Sequence, residues 1–170
     1  MDESGSNEAM TPRYSWAPRG QRAVDLAPRK RGPNTTILAA LTPQGLLEPM
    51  IVEGGATIEV LLTFLENMLC PALRPGQVVL LDNLAAHKNA AVKAKIEATG
   101  ARAEFLPRYS PDFQPIEGAF SKLKEFLRHE RARTSEALHQ AIAQGLAAIT
   151  PQDAHGFFEH CGYHLNPQPS

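Results

Sequence analysis

The sequence predicts a three-layer α/β fold with a mixed sheet, and three observations support this prediction. Apolar segments at residues 35–41 and 46–52 flank a Thr-Pro-Gln-Gly turn, which is typical of an antiparallel hairpin. Two further apolar segments, residues 78–81 and 101–106, have the length and composition of buried strands. Helical patterns precede, separate and follow these two strands, and this alternation is typical of α/β domains.

The composition fits one domain that is neither secreted nor inserted in a membrane. The chain has 170 residues, a hydrophobic fraction of 43% and a net charge of −1, which is enough for a sizeable core. No apolar run approaches the roughly 20 residues of a membrane span, and the first residues do not resemble a secretory signal. Cys70 and Cys161 are too few and too far apart for a disulfide framework. They predict reduced thiols in a cytoplasmic protein.

The N-terminal third contains little regular patterning before the first strand. Residues 1–33 are polar and are interrupted by four prolines, so we expect irregular chain there. Short extended pieces are expected around residues 14–16 and 21–26. In the hairpin that follows, Pro49 indicates that the returning strand lies at an edge or contains a bulge.

Four helices are predicted from apolar residues that recur at intervals of three and four. Each begins near a capping residue or a proline, and the last is expected to end at Pro151. The predicted helices cover residues 58–69, 89–99, 115–128 and 134–150. We therefore expect a folded domain over residues 1–150 and a C-terminal tail over residues 151–170 that ends in unstructured Asn-Pro-Gln-Pro-Ser.

Positive charge is concentrated in two parts of a nearly neutral chain. Residues 13–31 contain six basic side chains against Asp25, and residues 122–133 contain five against two glutamates. Such local patches suit contact with a polyanion, although solvated surface is the simpler interpretation on charge alone.

Two carboxylates occupy positions where burial is costly unless a cation lies nearby. Asp82 ends the strand at residues 78–81, and Glu117 lies in the first turn of the helix that follows the proline-rich loop 106–117. Asp2 is the candidate for a third ligand, because Mg²⁺ prefers several hard oxygen ligands. A pair of such cations can catalyse phosphoryl transfer. The alternatives are a strand-end turn for Asp82, a favourable N-terminal helix charge for Glu117 and a disordered terminal acid for Asp2.

Two further polar residues lie close to these acids in the sequence. His87 follows Asp82 by five residues, and it could lie near the metal pocket, contact a phosphate or cap the next helix. Asp112 is most simply a turn former. The sequence contains neither a Gly-x-x-x-x-Gly-Lys nucleotide loop nor a His-Glu-x-x-His zinc motif.

Five segments of the chain together carry a resemblance to a known family: residues 2–5, 16–20, 81–87, 106–117 and 120–124. The order and content of these segments are similar to the catalytic domain of bacterial insertion-sequence transposases of the Asp-Asp-Glu superfamily, in the group allied to mariner elements. The resemblance extends over about residues 2–150, and the loop 106–117 is its most specific part.

The resemblance implies a ribonuclease-H-like fold in which Asp2, Asp82 and Glu117 bind Mg²⁺, with Mn²⁺ as a substitute. It implies nicking at transposon ends, then attack of the freed 3′-hydroxyl on target DNA, commonly at TA dinucleotides. The implied partners are the terminal inverted repeats, target DNA and further copies of the chain, at the bacterial nucleoid. The candidate DNA contacts are His87, Arg19, Arg22, Lys124 and Arg128.

The chain departs from the family pattern at its start. In the family the first aspartate ends an apolar strand, whereas here Met1 directly precedes Asp2, and a helix-turn-helix region is also absent. We therefore expect a domain that lacks most of its first strand, with Asp2 on a fraying terminus. One hypothesis is an enzyme that is active when joined to an N-terminal part. The alternative is an inactive remnant that binds DNA or a full-length transposase. A third hypothesis, a stand-alone nuclease, lacks a specificity module.

Overall fold

The structure, a computed structural model, describes residues 1–108 and 110–164 and confirms a mixed α/β arrangement. Strands lie between two layers of helices. The strands are β1 (Asp2–Ser6), β2 (Thr35–Ala39), β3 (Leu41–Thr42), β4 (Gly45–Leu46), β5 (Met50–Glu53), β6 (Val78–Leu81) and β7 (Arg102–Phe105).

The strands pair in antiparallel and parallel groups. β2 lies between β1 and β5 and is antiparallel to both, with Asp2 opposite Ala39. The β3–β4 hairpin extends β2 beyond Ala39 and turns at the predicted Thr-Pro-Gln-Gly sequence. β6 and β7 pair in parallel, with Val78 opposite Arg102.

Strand β2 is buried along its whole length, because each of its faces contacts a separate apolar cluster. Leu38 belongs to a cluster with helices on one face, and Ile37 and Ala39 belong to a cluster with helices on the other face. This alternation follows from the two-residue period of a strand. The three-layer prediction is confirmed by these two cores.

The helices form the two outer layers. α1 and α3 pack with β6 in the first cluster, and α4 and α5 pack with β2 in the second. The helices are α1 (Ile58–Phe64), a π-helical turn (Leu65–Leu69), α2 (Cys70–Ala72), α3 (Ala90–Glu97), a 3₁₀ turn (Pro111–Phe113), α4 (Pro115–Glu130), α5 (Ser135–Ala147) and α6 (Pro151–His160).

The predicted helix starts agree with the observed N-caps. The side chains of Thr57, Asn89 and Thr134 each accept a hydrogen bond from a backbone N–H in the first turn of the helix that follows. Each bond pairs one of the backbone donors that a helix start leaves without a partner inside the helix. Within the described residues, none of the helices has the length and apolar character needed to cross a membrane.

The structure corrects the prediction for the N-terminal residues. Residues 2–6 form β1 and are not irregular, and Asp2 is buried and paired with β2. The α-amino group of Met1 donates a hydrogen bond to the carbonyl oxygen of Leu80 at 2.9 Å. A fraying terminus was therefore the wrong expectation for Asp2. Residues 11–33 contain no helix or strand, so the extended pieces expected at residues 14–16 and 21–26 are not strands.

The structure also corrects the prediction for the C-terminal residues. Pro151 begins α6 and does not end helical structure, because a proline at the first helical position has no N–H bond to lose. Thr150 and Asp153 form a capping box, and Asp153 accepts a hydrogen bond from the Lys122 ammonium at 2.6 Å. α6 thereby packs against α4. The domain boundary at residue 150 stays a prediction, and the final Asn-Pro-Gln-Pro-Ser lies outside the described residues.

Two helical glycines are expected to respond to substitution in opposite directions. A Cβ at Gly145 would lie 2.6 Å from a methyl carbon of buried Leu123 and 2.9 Å from the Phe126 ring, whereas a Cβ at Gly156 meets no atom within 4 Å. Gly145→Val should lower stability by about 1–3 kcal/mol through overpacking. Gly156→Ala should raise it by about 0.5–1 kcal/mol through helix propensity. Urea unfolding of both variants tests this packing, and shifts of the same sign would contradict it.

Candidate active site

β1 and the loop after β6 bring acidic side chains together at the junction between the antiparallel and parallel strands. Asp2 is 6% exposed at the start of β1, and Glu3 follows it with a partly buried side chain. Asp82 comes directly after β6, whose last residue Leu81 is fully buried. The apolar strands thus fix the backbone, and the acids occupy the positions where the strands begin and end.

A side-chain turn holds Asp82 in place. Its Oδ1 accepts a hydrogen bond from the backbone N–H of Leu84 at 2.9 Å and also contacts Nδ1 of His87. The amide of the neighbouring Asn83 donates to the carbonyl oxygen of Leu106. The start of the loop 106–117 is therefore tied to the Asp82 turn.

His87 is the buried link between the two acidic segments. Its side chain is fully buried, its Nδ1 contacts Asp82, and its Nε2 lies 3.0 Å from Oε2 of Glu3. Burial by itself lowers the pKa of this imidazole, but the hydrogen bond and charge of Glu3 together with the carboxylate of Asp82 raise it above its ordinary value. The pairing favours the imidazolium form, in which both ring nitrogens donate.

The ionisation of Asp2 and of the N-terminus is strongly affected by burial. The pKa of Asp2 is raised to about 7, chiefly by burial and in addition by the nearby carboxylates of Glu3 and Asp82. Burial lowers the pKa of the Met1 α-amino group to about 6, although the carboxylates of Asp2, Asp82 and Glu3 oppose that shift. A cation beside Asp2 would reverse its shift, because it favours the ionised carboxylate.

Among the residues that the structure describes, Asp2, Glu3 and His87 form a group that could hold a metal ion. Their carboxylate oxygens and imidazole nitrogen lie within 4.8 Å of one another. Asp82 adjoins this group through His87. Glu117 is outside it: this residue is exposed in the first turn of α4, beside a surface depression that Asp112 and Cys161 also line. The structure thus brings Asp2 and Asp82 to one place, and Glu117 lies on the neighbouring helix.

The residues predicted to contact DNA occupy different environments. His87 is enclosed and both of its ring nitrogens are engaged, so its ring is not part of the surface. Arg19 and Arg22 are exposed in the irregular segment 11–33, and Lys124 and Arg128 are half-buried on α4. The segment 11–33 is tied to the end of α4 by a pair of bonds between Asp25 and Arg131, the shorter being 2.6 Å.

Glu3 is the residue at this site that sequence reasoning missed. Neighbouring residues of a strand point to opposite faces, so Asp2 and Glu3 were not expected to share a partner. Ligand atoms of both nevertheless lie within 4.8 Å of His87, because the two acids begin β1 next to the loop that carries this histidine, and Glu3 contacts its ring directly. The available signal for a buried partner was His87, which follows the apolar and small residues 84–86.

Comparisons with known proteins identify the family of the chain and structures that share its fold. A family model described as DDE superfamily endonuclease matches residues 1–139 of the chain. No curated protein matches the sequence.

Solved structures of one transposase share the fold. The Mos1 transposase paired-end complex with left transposon end matches with a TM-score of 0.78 and 22% identity, over 94% of this chain and 50% of that chain. The Mos1 mariner paired end complex with Mn matches equally, over 51% of that chain. The catalytic domain of Mos1 mariner transposase alone matches with a TM-score of 0.59 and 16% identity, over 76% of this chain and 71% of that chain.

The likeness confirms the predicted ribonuclease-H-like fold. This chain spans about half the length of the first two of these structures, and at such identities the likeness concerns the fold alone.

The raised pKa of Asp2 predicts a pH-dependent stability in the metal-free chain. The folded chain keeps a proton that the unfolded chain loses above pH 3.8, so this residue's contribution is complete below pH 3.8 and is lost as the pH rises through about 7. Asp2→Asn should therefore match the parent near pH 4 and exceed it by about 2–4 kcal/mol at pH 8. The measurement is unfolding in EDTA at both pH values, with exposed Glu125→Gln as control. A variant that is less stable at pH 8 would contradict the burial of an ionisable Asp2.

Proposed function

We propose that this chain, which belongs to the DDE superfamily of endonucleases, acts as a transposase catalytic domain that cuts transposon ends and joins them to target DNA. The family and fold support a transposase catalytic domain. The observation that carries the proposal is the meeting of Asp2 and Asp82 beside one buried imidazole, at the adjoining ends of β1 and β6.

The residues at this junction fit a divalent cation. The carboxylate oxygens of Asp2 and Asp82 are the hard donors that Mg²⁺ and Mn²⁺ prefer. Asp2 is buried among other carboxylates with its pKa raised to about 7, and such a residue gains most from a neighbouring cation. We assign Asp2, Asp82 and Glu117 as the metal ligands, with Glu117 completing the set from the first turn of α4. Two of the related structures are Mos1 paired end complexes, one with Mn and one with Mg.

His87 and Glu3 would serve to position Asp82. Oδ1 of Asp82 accepts from both Leu84 and His87, so the Oδ2 oxygen is the one assigned to a cation. Glu3 fixes the far side of the imidazole at 3.0 Å. This chain of contacts orients a ligand in the way that outer-sphere partners commonly do in metal sites.

A bound divalent cation would supply activation of an attacking oxygen and stabilisation of the leaving oxygen in phosphoryl transfer. The chain's own residues would hold the DNA. The exposed Arg19 and Arg22, with Lys124 and Arg128 on α4, are assigned to phosphate contacts. Transposon ends, target DNA and a second copy of the chain are the proposed partners, and the cytoplasm with its nucleoid is the proposed location. Mos1 is seen with its left transposon end in one related structure.

The metal assignment predicts selective loss of cation binding. Calorimetric titration with Mn²⁺ at pH 7.5 should show binding that Asp82→Asn weakens at least tenfold, which is about 1.4 kcal/mol. Because protonated Asp2 cannot bind metal, affinity should rise between pH 6 and pH 8. Exposed Glu125→Gln, on the same helix as Glu117, should bind like the parent. Unchanged affinity in Asp82→Asn would remove the residue from the site.

The proposed activity predicts metal-dependent strand cleavage of DNA. The substrate is a duplex that carries the terminal repeats of the element encoding this chain, supplied with Mg²⁺ or Mn²⁺. Asp82→Ala and Glu117→Ala should each reduce cleavage by at least a hundredfold, because each removes a ligand that acts in the transition state. Glu125→Gln is the matched control.

The two hypotheses differ in this assay. Cleavage that leaves a 3′-hydroxyl and depends on Asp82 and Glu117 supports the enzyme. Cleavage that survives both substitutions overturns the site assignment. Salt-sensitive DNA binding without cleavage, in a chain that binds Mn²⁺, supports the alternative of an inactive remnant.

A further inference from the structure

The loop 106–117 is tied to the rest of the fold at two points. Near its start, the amide of Asn83 donates to the carbonyl oxygen of the first residue of the loop. Near its end, the Tyr163 hydroxyl donates to the carbonyl oxygen of Phe113 at 2.8 Å. The first tie comes from the turn that holds Asp82, and the second comes from the chain just after α6. The two ties together determine where the loop lies relative to Asp82.

The first turn of α4, which follows this loop, has no side-chain cap of its own. Gln114 occupies the N-cap position, but within the described residues its side chain makes no capping hydrogen bond and its amide nitrogen is buried without a partner. Pro115 at the first helical position supplies no N–H. A helix start without a side-chain cap is held less firmly than a capped one. The direction of Glu117 in this turn therefore depends on what holds the residues before Gln114.

The way in which α6 ends places Tyr163 beside that turn. The N–H of Gly162 donates to the carbonyl oxygen of Glu159 at 2.9 Å, and the N–H of Tyr163 donates to that of Phe158 at 3.0 Å. Gly162 has a φ of 82°, in the left-handed region that glycine adopts without strain. Two such bonds around a left-handed glycine form a Schellman motif. The apolar contact that accompanies this motif is also present, because the rings of Phe158 and Tyr163 meet edge to face with centroids 6.0 Å apart.

The start of α6 is attached to the middle of α4, so α6 connects two parts of that helix. Asp153, in the first turn of α6, accepts a hydrogen bond from the Lys122 ammonium at 2.6 Å. Phe157, in the middle of α6, packs against the apolar cluster to which α4 belongs. The hydroxyl of Tyr163 then reaches the residues that precede α4. The turn before α4 is thus held by a helix that α4 itself anchors.

We propose that Tyr163 is a positioning residue for the proposed phosphoryl transfer, because its hydroxyl fixes the turn from which Glu117 is presented to the cation. This inference rests on the proposed role of Glu117 as a metal ligand. Tyr163 acts through the backbone of residues 113–117 and not by contact with metal or DNA. Partners of this kind orient metal ligands and are needed for full affinity and rate.

The test is Tyr163→Phe in the full chain, which removes the hydroxyl and keeps the ring that packs on Phe158. Tyr14→Phe, at an 89% exposed position, is the matched control. In calorimetric titration Tyr163→Phe should weaken Mn²⁺ binding about tenfold, and the control should bind like the parent. In the cleavage assay kcat should fall with it, while the DNA concentration at half-maximal rate stays unchanged.

A role in stability alone predicts a different outcome. Tyr163→Phe would then melt at a lower temperature, but the folded variant would bind Mn²⁺ like the parent, and that result overturns the inference. In a Glu117→Ala background, Tyr163→Phe should have no further effect on Mn²⁺ affinity, because no ligand is left to position. An equal loss of affinity in both backgrounds also overturns the inference.

Two measurements probe the turn itself. Gly162→Ala strains the left-handed position and should weaken Mn²⁺ binding as Tyr163→Phe does; Gly76→Ala, at a φ of 85° and with equally open space for a Cβ, is the control. Hydrogen exchange at the amides of Gln114 and Glu117 should be faster in Tyr163→Phe, since these amides close the turn. Unchanged exchange at both amides contradicts the inference.

The behaviour of Glu117→Ala separates two kinds of failure. If Glu117→Ala leaves Mn²⁺ binding and cleavage unchanged, the proposed metal site is wrong and this inference is overturned with it. If Glu117→Ala weakens both and Tyr163→Phe weakens neither, the metal site stands and the inference alone is overturned.

Discussion

The junction between β1 and β6 is the contact on which the arrangement of the acidic residues depends. These two strands belong to separately paired groups, and the Met1–Leu80 hydrogen bond and the His87 bridge connect them. The bridge joins two carboxylates through one buried imidazole. Removing the imidazole would leave Glu3 and Asp82 facing each other without a donor between them, and like charges at such a distance repel strongly. The geometry of the acids is therefore inseparable from the packing of the strands.

The two-sided burial of β2 supports this junction. A strand that contacts a separate core on each face cannot shift register by one residue without exchanging its two sets of side chains. Because Asp2 is paired opposite Ala39, the register of β2 sets the position of Asp2 along the strand direction, and with it the position of Asp2 relative to the end of β6. The helical layers thus position the acids indirectly, through the strand that both layers cover.

The sequence predicted the elements whose signals are local. Asp82 was placed correctly at a strand end because the apolar run before it is continuous. The caps Thr57 and Thr134 were recognised from single side chains. Interactions between distant residues were missed. The Glu3–His87 contact joins residues 84 positions apart, and no periodicity reports such a pair. Pro151 was misassigned because a proline can follow the end of one helix or occupy the first position of the next. The capping box of Thr150 and Asp153 shows that Pro151 begins a helix.

The contact between α6 and α4 has a consequence for how this chain can change over evolutionary time. The Phe157 ring lies where a Cβ on Gly118 would be, at 2.5 Å, directly after Glu117. Any larger residue at position 118 must displace the ring or tilt the first turn of α4, and the second outcome would redirect Glu117. Growth at position 118 therefore has to be matched by a smaller side chain at position 157 if the first turn of α4 is to stay in place. The absence of a side chain at position 118 thus helps to fix the direction of Glu117.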